Sequence, residues 1–79
     1  MRMSEFRRAC RAEFGSEYAP ILLRDHWLSV LGGTADEAIA RGVSPRAVWD
    51  ALCVDLQVPV ARRHGRGLPD PRDETGRAP

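Results

Sequence analysis

The sequence predicts an all-α fold: a small bundle of three main helices plus one short helix, with a helix-turn-helix-like second half and a disordered C-terminal tail. Three observations predict it. Apolar residues recur at helical spacing between Met3 and Leu56. Residues that start and stop helices punctuate the pattern at Thr34, Gly42 and Ser44. After Pro59 the pattern ends. The chain therefore divides into a helical domain over 1–59 and an Arg/Pro/Gly-rich tail over 60–79.

The first helix is expected near residues 4–14, with Ser4 as N-cap. Met3, Phe6, Cys10 and Phe14 fall on one narrow face, while Arg7, Arg8 and Arg11 share another. Gly15 stops this helix and Ser16 can cap the next. The second helix is expected over 17–31, with Pro20 in the first turn, where no intrahelical N–H bond is lost. On a helical wheel it is apolar almost all round, which places it centrally. Within it, Asp25 lies between Tyr18 and Ile21, and His26 lies between Leu22 and Val30. Arg24, Asp25 and His26 are thus expected to form a buried polar network, because a buried charge without a partner is costly. On that reading Asp25→Ala lowers the melting temperature. A ligand or catalytic role for these residues is the alternative.

The best-specified stretch is Thr34–Pro59. Thr34 and Glu37 form a capping box, in which each side chain satisfies the other residue's free backbone N–H. Asp36 and Glu37 add negative charge at the positive end of a short helix near 35–41. Gly42 suits the left-handed position that ends a helix. Ser44 caps the last helix, near 45–57, and Pro45 suits its first position. Val48, Trp49, Leu52, Cys53 and Leu56 form its core stripe. The helix ends near Gln57, because Pro59 disfavours helical backbone at Val58. Residues 60–79 carry Gly65, Gly67, Gly76, Pro69, Pro71 and Pro79 with few large apolar residues, so their burial cannot offset the entropy of ordering.

Seventy-nine residues make one small domain with a small core. Every one of its twelve basic residues is Arg, and the net charge of +1 gives no global basic bias. The acidic balance lies on the middle of the chain and the basic balance on the tail. Met1–Cys10 has no apolar run of a signal peptide, and no run approaches the roughly 20 residues of a membrane span, so the cytoplasm is expected and no membrane contact.

Catalysis is not expected. Cys10, His26, Cys53 and His64 are isolated in sequence, so no metal-ligand spacing exists and no cofactor is expected. Cys10 and Cys53 read as reduced, packed thiols, with a disulfide or reactive thiol as the alternative. Ala38, Gly42, Val43 and Val48 fit a DNA-binding helix-turn-helix, but Glu37 and Arg41 stand where that motif prefers apolar residues. The would-be recognition helix carries Arg46, Asp50 and Asp55, a net of −1, and so does not neutralise phosphates. Nucleic-acid contact, if made, falls to Arg62, Arg63 and Arg66 in the tail, extended by Arg7, Arg8 and Arg11. Ala47, Ala51 and Val54 form a small-residue strip that can receive a helix, either of this domain or of a protein partner.

Glu5-Phe6, Phe14-Gly15, Tyr18-Ala19, Arg24-Asp25-His26, Leu31-Gly32, Glu37-Ala38, Gly42-Val43, Val48-Trp49, Cys53 and Val58-Pro59 together resemble a family of small actinobacterial proteins catalogued as a domain of unknown function (DUF3046). The resemblance runs from Met1 to about Arg63. It implies a short cytoplasmic helical protein, often encoded near the recombinase RecA and its regulator RecX. It brings no catalytic residue or ligand. The favoured expectation is a non-enzymatic module for an unidentified protein partner. A nucleic-acid-associated protein in a DNA repair or recombination context, using the helix-turn-helix-like region and the Arg-rich tail, is the alternative, and an enzyme or redox protein built on Cys10, Cys53 or His26 comes last.

Overall fold

The structure is a computed structural model and describes residues 1–63. It is mostly helical, with one small two-stranded ribbon. Helix α1 spans Met3–Phe14 and α2 spans Tyr18–Asp25. Strand β1, Trp27–Leu28, a 3₁₀ turn over Ser29–Leu31 and strand β2, Gly33–Thr34, follow. Helix α3 spans Ala35–Ala40 and α4 spans Pro45–Asp55, and a last 3₁₀ turn covers Val60–Arg62. Helix α1 packs on α2 and α4, and α3 fills in against α2 and α4.

The core is built from one face of each element. Phe6 and Cys10 come from α1, Leu22 from α2, Leu28 from β1, Ala35 and Ala38 from α3, and Val48, Trp49, Leu52 and Cys53 from α4. Alanines on α3 let that short helix lie close to its neighbours.

The start of α1 differs from expectation. Arg2 occupies the cap position and Ser4 lies inside the helix; the Glu5 carboxylate accepts from the Arg2 N–H at 2.7 Å. That bond holds the Glu5 carboxyl below its usual range.

The larger correction falls on the expected helix over 17–31. Helix α2 ends at Asp25, and His26 is extended. Trp27 and Leu28 then pair antiparallel with Thr34 and Gly33. A continuous helix would have scattered its apolar residues around the whole wheel. The ribbon instead buries Leu28 and turns Trp27 and Val30 outward. Gly32 closes the turn in the left-handed region, its N–H reaching Leu28 O at 2.9 Å. A side chain at Gly33 would conflict with the cap that follows, since a Cβ there would lie 2.7 Å from Glu37 Oε1.

The capping box is present. Thr34 Oγ1 accepts from the Glu37 N–H at 3.2 Å, and Glu37 Oε1 accepts from the Thr34 N–H at 2.9 Å. Ser44 Oγ accepts from the Ala47 N–H at 3.1 Å, with Pro45 at the first helical position. Helices α3 and α4 end by the same device. After α3, Val43 N–H reaches back to Ala38 O and Gly42 N–H to Ile39 O, both at 3.0 Å. After α4, Val58 N–H reaches Cys53 O at 2.8 Å and Gln57 N–H reaches Val54 O at 3.3 Å. In both, the residue past the cap is left-handed: Gly42 at φ +98°, and Gln57 at φ +59°. The second stop drops Val58 into the core.

The expected boundary at residue 59 moves. Residues 60–63 belong to the folded body, where Arg63 O accepts from Trp49 Nε1 at 2.6 Å and Arg62 pairs with Glu13 at 2.8 Å. The rest of the expected tail, 64–79, lies outside the described residues.

A non-glycine residue pays a steric penalty in the left-handed region that glycine avoids. Gln57→Gly therefore raises stability by about 0.5–1 kcal/mol and Gly42→Ala lowers it by about the same. Urea denaturation of both variants checks the opposite signs.

Candidate functional site

The candidate site is a groove beside α4. Ser44 and Pro45 fix the start of this helix, and Val48, Trp49, Leu52 and Cys53 turn into the core. That rotation leaves Ala47, Ala51 and Val54 on the flank. Across from them stand Leu28 of β1 and Ser29, Val30 and Leu31 of the 3₁₀ turn. Between the two walls lies an open groove of about 500 Å³. Ala51 is buried at its floor, whereas Val54 is 64% exposed and Val30 is 79% exposed. Exposed apolar side chains on both walls of one groove are unlike scattered surface valines, because a single occupant can cover them together.

Acidic groups stand on the rim. Asp50 lines the groove and pairs with Arg46 one turn earlier at 3.4 Å. Asp55 also lines it and accepts a hydrogen bond from His26 Nε2. That bond ties the end of α2 to the end of α4. Arg41 braces the ribbon from the other side, donating from Nη2 to Leu31 O at 2.5 Å.

The expected buried network of Arg24, Asp25 and His26 is not formed. Arg24 Nε bonds Asp25 Oδ1 at 2.9 Å on the surface, with the Asp25 side chain 58% exposed. The Arg24 guanidinium holds the Asp25 carboxyl below its usual range. The wheel placed Asp25 correctly between Tyr18 and Ile21, but that face of α2 looks outward, and both neighbours are exposed. The core face is Ala19, Leu22 and Leu23. His26 lies beyond the helix end and pairs with Asp55 instead.

The candidate phosphate contacts are also placed differently. Arg62 grips Glu13, with Nε at 3.2 Å from both carboxylate oxygens and Nη2 at 2.8 Å from Oε2. Arg63 Nε donates to Val58 O at 2.7 Å. Both guanidiniums are therefore engaged within the fold. Arg66 lies outside the described residues. Among the described residues, no three His, Cys, Asp or Glu side chains gather as a metal site. None of the described helices is long and apolar enough to cross a membrane.

Cys10 and Cys53 are free thiols buried in the core. Burial pushes the Cys10 thiol up to about 12 and the Cys53 thiol up to about 11. Both are neutral at physiological pH, which opposes nucleophilic or redox chemistry.

Sequence reasoning found the α4 wall of the groove and missed the opposite one. Leu28, Val30 and Leu31 were placed inside a helix. The signal for a turn was Gly32-Gly33, with the β-favouring Trp27 and Val30 shortly before it.

Two outcomes follow. Asp25→Ala leaves stability within about 0.5 kcal/mol, as for an exposed pair, whereas His26→Ala costs about 1 kcal/mol by leaving Asp55 at a helix C-terminus without its donor. Thermal melts of the two variants separate them. The thiols make a second test. Each thiol ionises at a lower pH unfolded than folded, so their contribution to stability is complete below about pH 9, the ordinary thiol range, and is lost as pH rises toward 11–12. At pH 8 both thiols resist a thiol reagent in the native protein and react at once in denaturant.

Comparison with known proteins agrees with the described fold in extent. A family model described as protein of unknown function (DUF3046) matches residues 1–61. No curated protein and no solved structure gives a match. The matched span ends within the final 3₁₀ turn, so it takes in both walls of the groove and stops two residues short of Arg63, whose carbonyl accepts from Trp49. The chain belongs to the DUF3046 family of proteins of unknown function.

Proposed function

We propose that this protein is a non-enzymatic interaction module that docks an amphipathic helix of a protein partner in the groove between α4 and the ribbon. One observation carries this reading: a groove of about 500 Å³ whose two walls present Val30 and Val54 to solvent over a buried Ala51 floor. Alanines at 47 and 51 let a second helix approach closely, since helix axes come within about 8–10 Å where small residues meet. Asp50 and Asp55 on the rim favour a partner with Arg or Lys beside its apolar stripe. Burial of both thiols, which raises Cys10 to about 12 and Cys53 to about 11, disfavours a redox reading built on them.

A nucleic-acid contact is the second reading, supported by Arg7, Arg8 and Arg11, whose guanidiniums bond no other described residue. It ranks lower because Arg62 and Arg63 are engaged within the fold and the outer face of α4 carries more acid than base.

Affinity capture with and without nuclease tests both readings. Protein partners retained by the wild type are lost from Val54→Arg and from Ala47→Arg, two exposed positions where the melting temperature stays within a few degrees. Capture that survives both variants rejects the groove. Partners that disappear on nuclease treatment favour the nucleic-acid reading.

A further inference from the structure

A second concavity lies away from the groove, where α1 meets α2 and the start of α3. It is a cleft of about 270 Å³ lined by Arg7, Cys10, Arg11, Ala19, Pro20, Leu23 and Asp36. Its chemistry is sorted. Cys10, Ala19 and Leu23 give a buried apolar floor. Arg7 and Arg11 stand one turn apart on α1, a spacing that sets Cβ atoms roughly 6 Å apart and allows two guanidiniums to converge on one oxyanion. Asp36 enters from α3. Arg11 and Asp36 both lie near enough to Cys10 to act on its thiol, with opposite signs. Yet among the described residues no ion pair or hydrogen bond joins either guanidinium to Asp36 or to any other carboxylate. Elsewhere in the fold, Arg24, Arg46 and Arg62 all pair with acids.

We infer that this cleft binds a small organic zwitterion, its oxyanion held by Arg7 and Arg11, its ammonium or N–H donor by Asp36, and its apolar body laid on Cys10, Ala19 and Leu23. Two guanidiniums alone would favour a bare dianion such as inorganic phosphate. Asp36 repels such an ion and rewards a ligand that brings a donor. An apolar floor between the charged ends rewards a ligand with carbon between its own charged ends. The site is separate from the α4 groove and shares no lining residue with it.

The test is a titration of the isotope-labelled protein followed by amide chemical shifts. The probes are 6-aminohexanoate, hexanoate, hexylamine and inorganic phosphate. Saturable shifts centred on Cys10, Ala19 and Leu23 are expected, strongest with 6-aminohexanoate. Arg7→Gln and Arg11→Gln, at exposed positions, each weaken that binding about tenfold. Asp36→Asn removes the preference for 6-aminohexanoate over hexanoate. Shifts absent or spread over the whole surface, or affinity unchanged in both arginine variants, overturn the site. Phosphate bound as tightly as 6-aminohexanoate, or a preference that survives Asp36→Asn, overturns the zwitterion.

Discussion

The fold depends on one side chain, Trp49. It is fully buried at the centre of α4, and its ring meets Phe14 of α1 with centroids 6.3 Å apart and planes inclined at 55°. A buried indole must place its N–H, and no helix backbone is free to accept it. The acceptor is Arg63 O, fourteen residues on, at 2.6 Å. That bond fixes where the chain must run after Pro59. Once Arg63 is drawn over the indole, Arg62 lies within reach of Glu13 and Arg63 Nε within reach of Val58 O. A substitution that emptied this site would cost roughly 3–5 kcal/mol, comparable to the whole stability of many small domains.

The cap chemistry was legible because it is local. Thr34 with Glu37, Gly42, and Ser44 with Pro45 act within four residues, so spacing alone specifies them. Residues 26–34 were not legible because two local rules conflict there. The apolar content of Trp27, Leu28, Val30 and Leu31 continues a helix, whereas Gly32-Gly33, with β-favouring Trp27 and Val30 before them, make a turn. Tertiary packing decides: Leu28 reaches the core only if the chain leaves the helix at His26. The same lesson applies to Asp25. Its angular position was right, but a wheel with two apolar faces does not say which face is covered. Residues 60–63 were illegible for a different reason, since the need they meet arises from Trp49, far back in sequence.

The departures from a DNA-reading helix-turn-helix have a physical explanation in the ribbon. Glu37 and Arg41 are polar because both turn back toward residues 31–34, Glu37 to the Thr34 N–H and Arg41 to Leu31 O. Those positions serve a neighbour that a minimal helix-turn-helix lacks. The sequence pair therefore supports a helical corner with a ribbon laid against it, and α4 is left with its apolar stripe inward and its acids on the flank.

A domain this small gains by covering every apolar surface, so an open apolar groove needs a cause. Residues of both walls are tied to groups outside the groove. His26 bonds Asp55 at one end, Arg41 holds Leu31 O at the other, and the Thr34 cap fixes the exit of the ribbon. Ala47 and Ala51 are too short to bridge the gap, while Val30 and Val54 stand at its lips. Longer side chains at 47 and 51 would fill the space from within, at the expense of a surface that another helix can enter. The groove thus combines a hydrogen-bonded frame with small residues along its α4 wall, the two features on which the proposed docking of a helix rests.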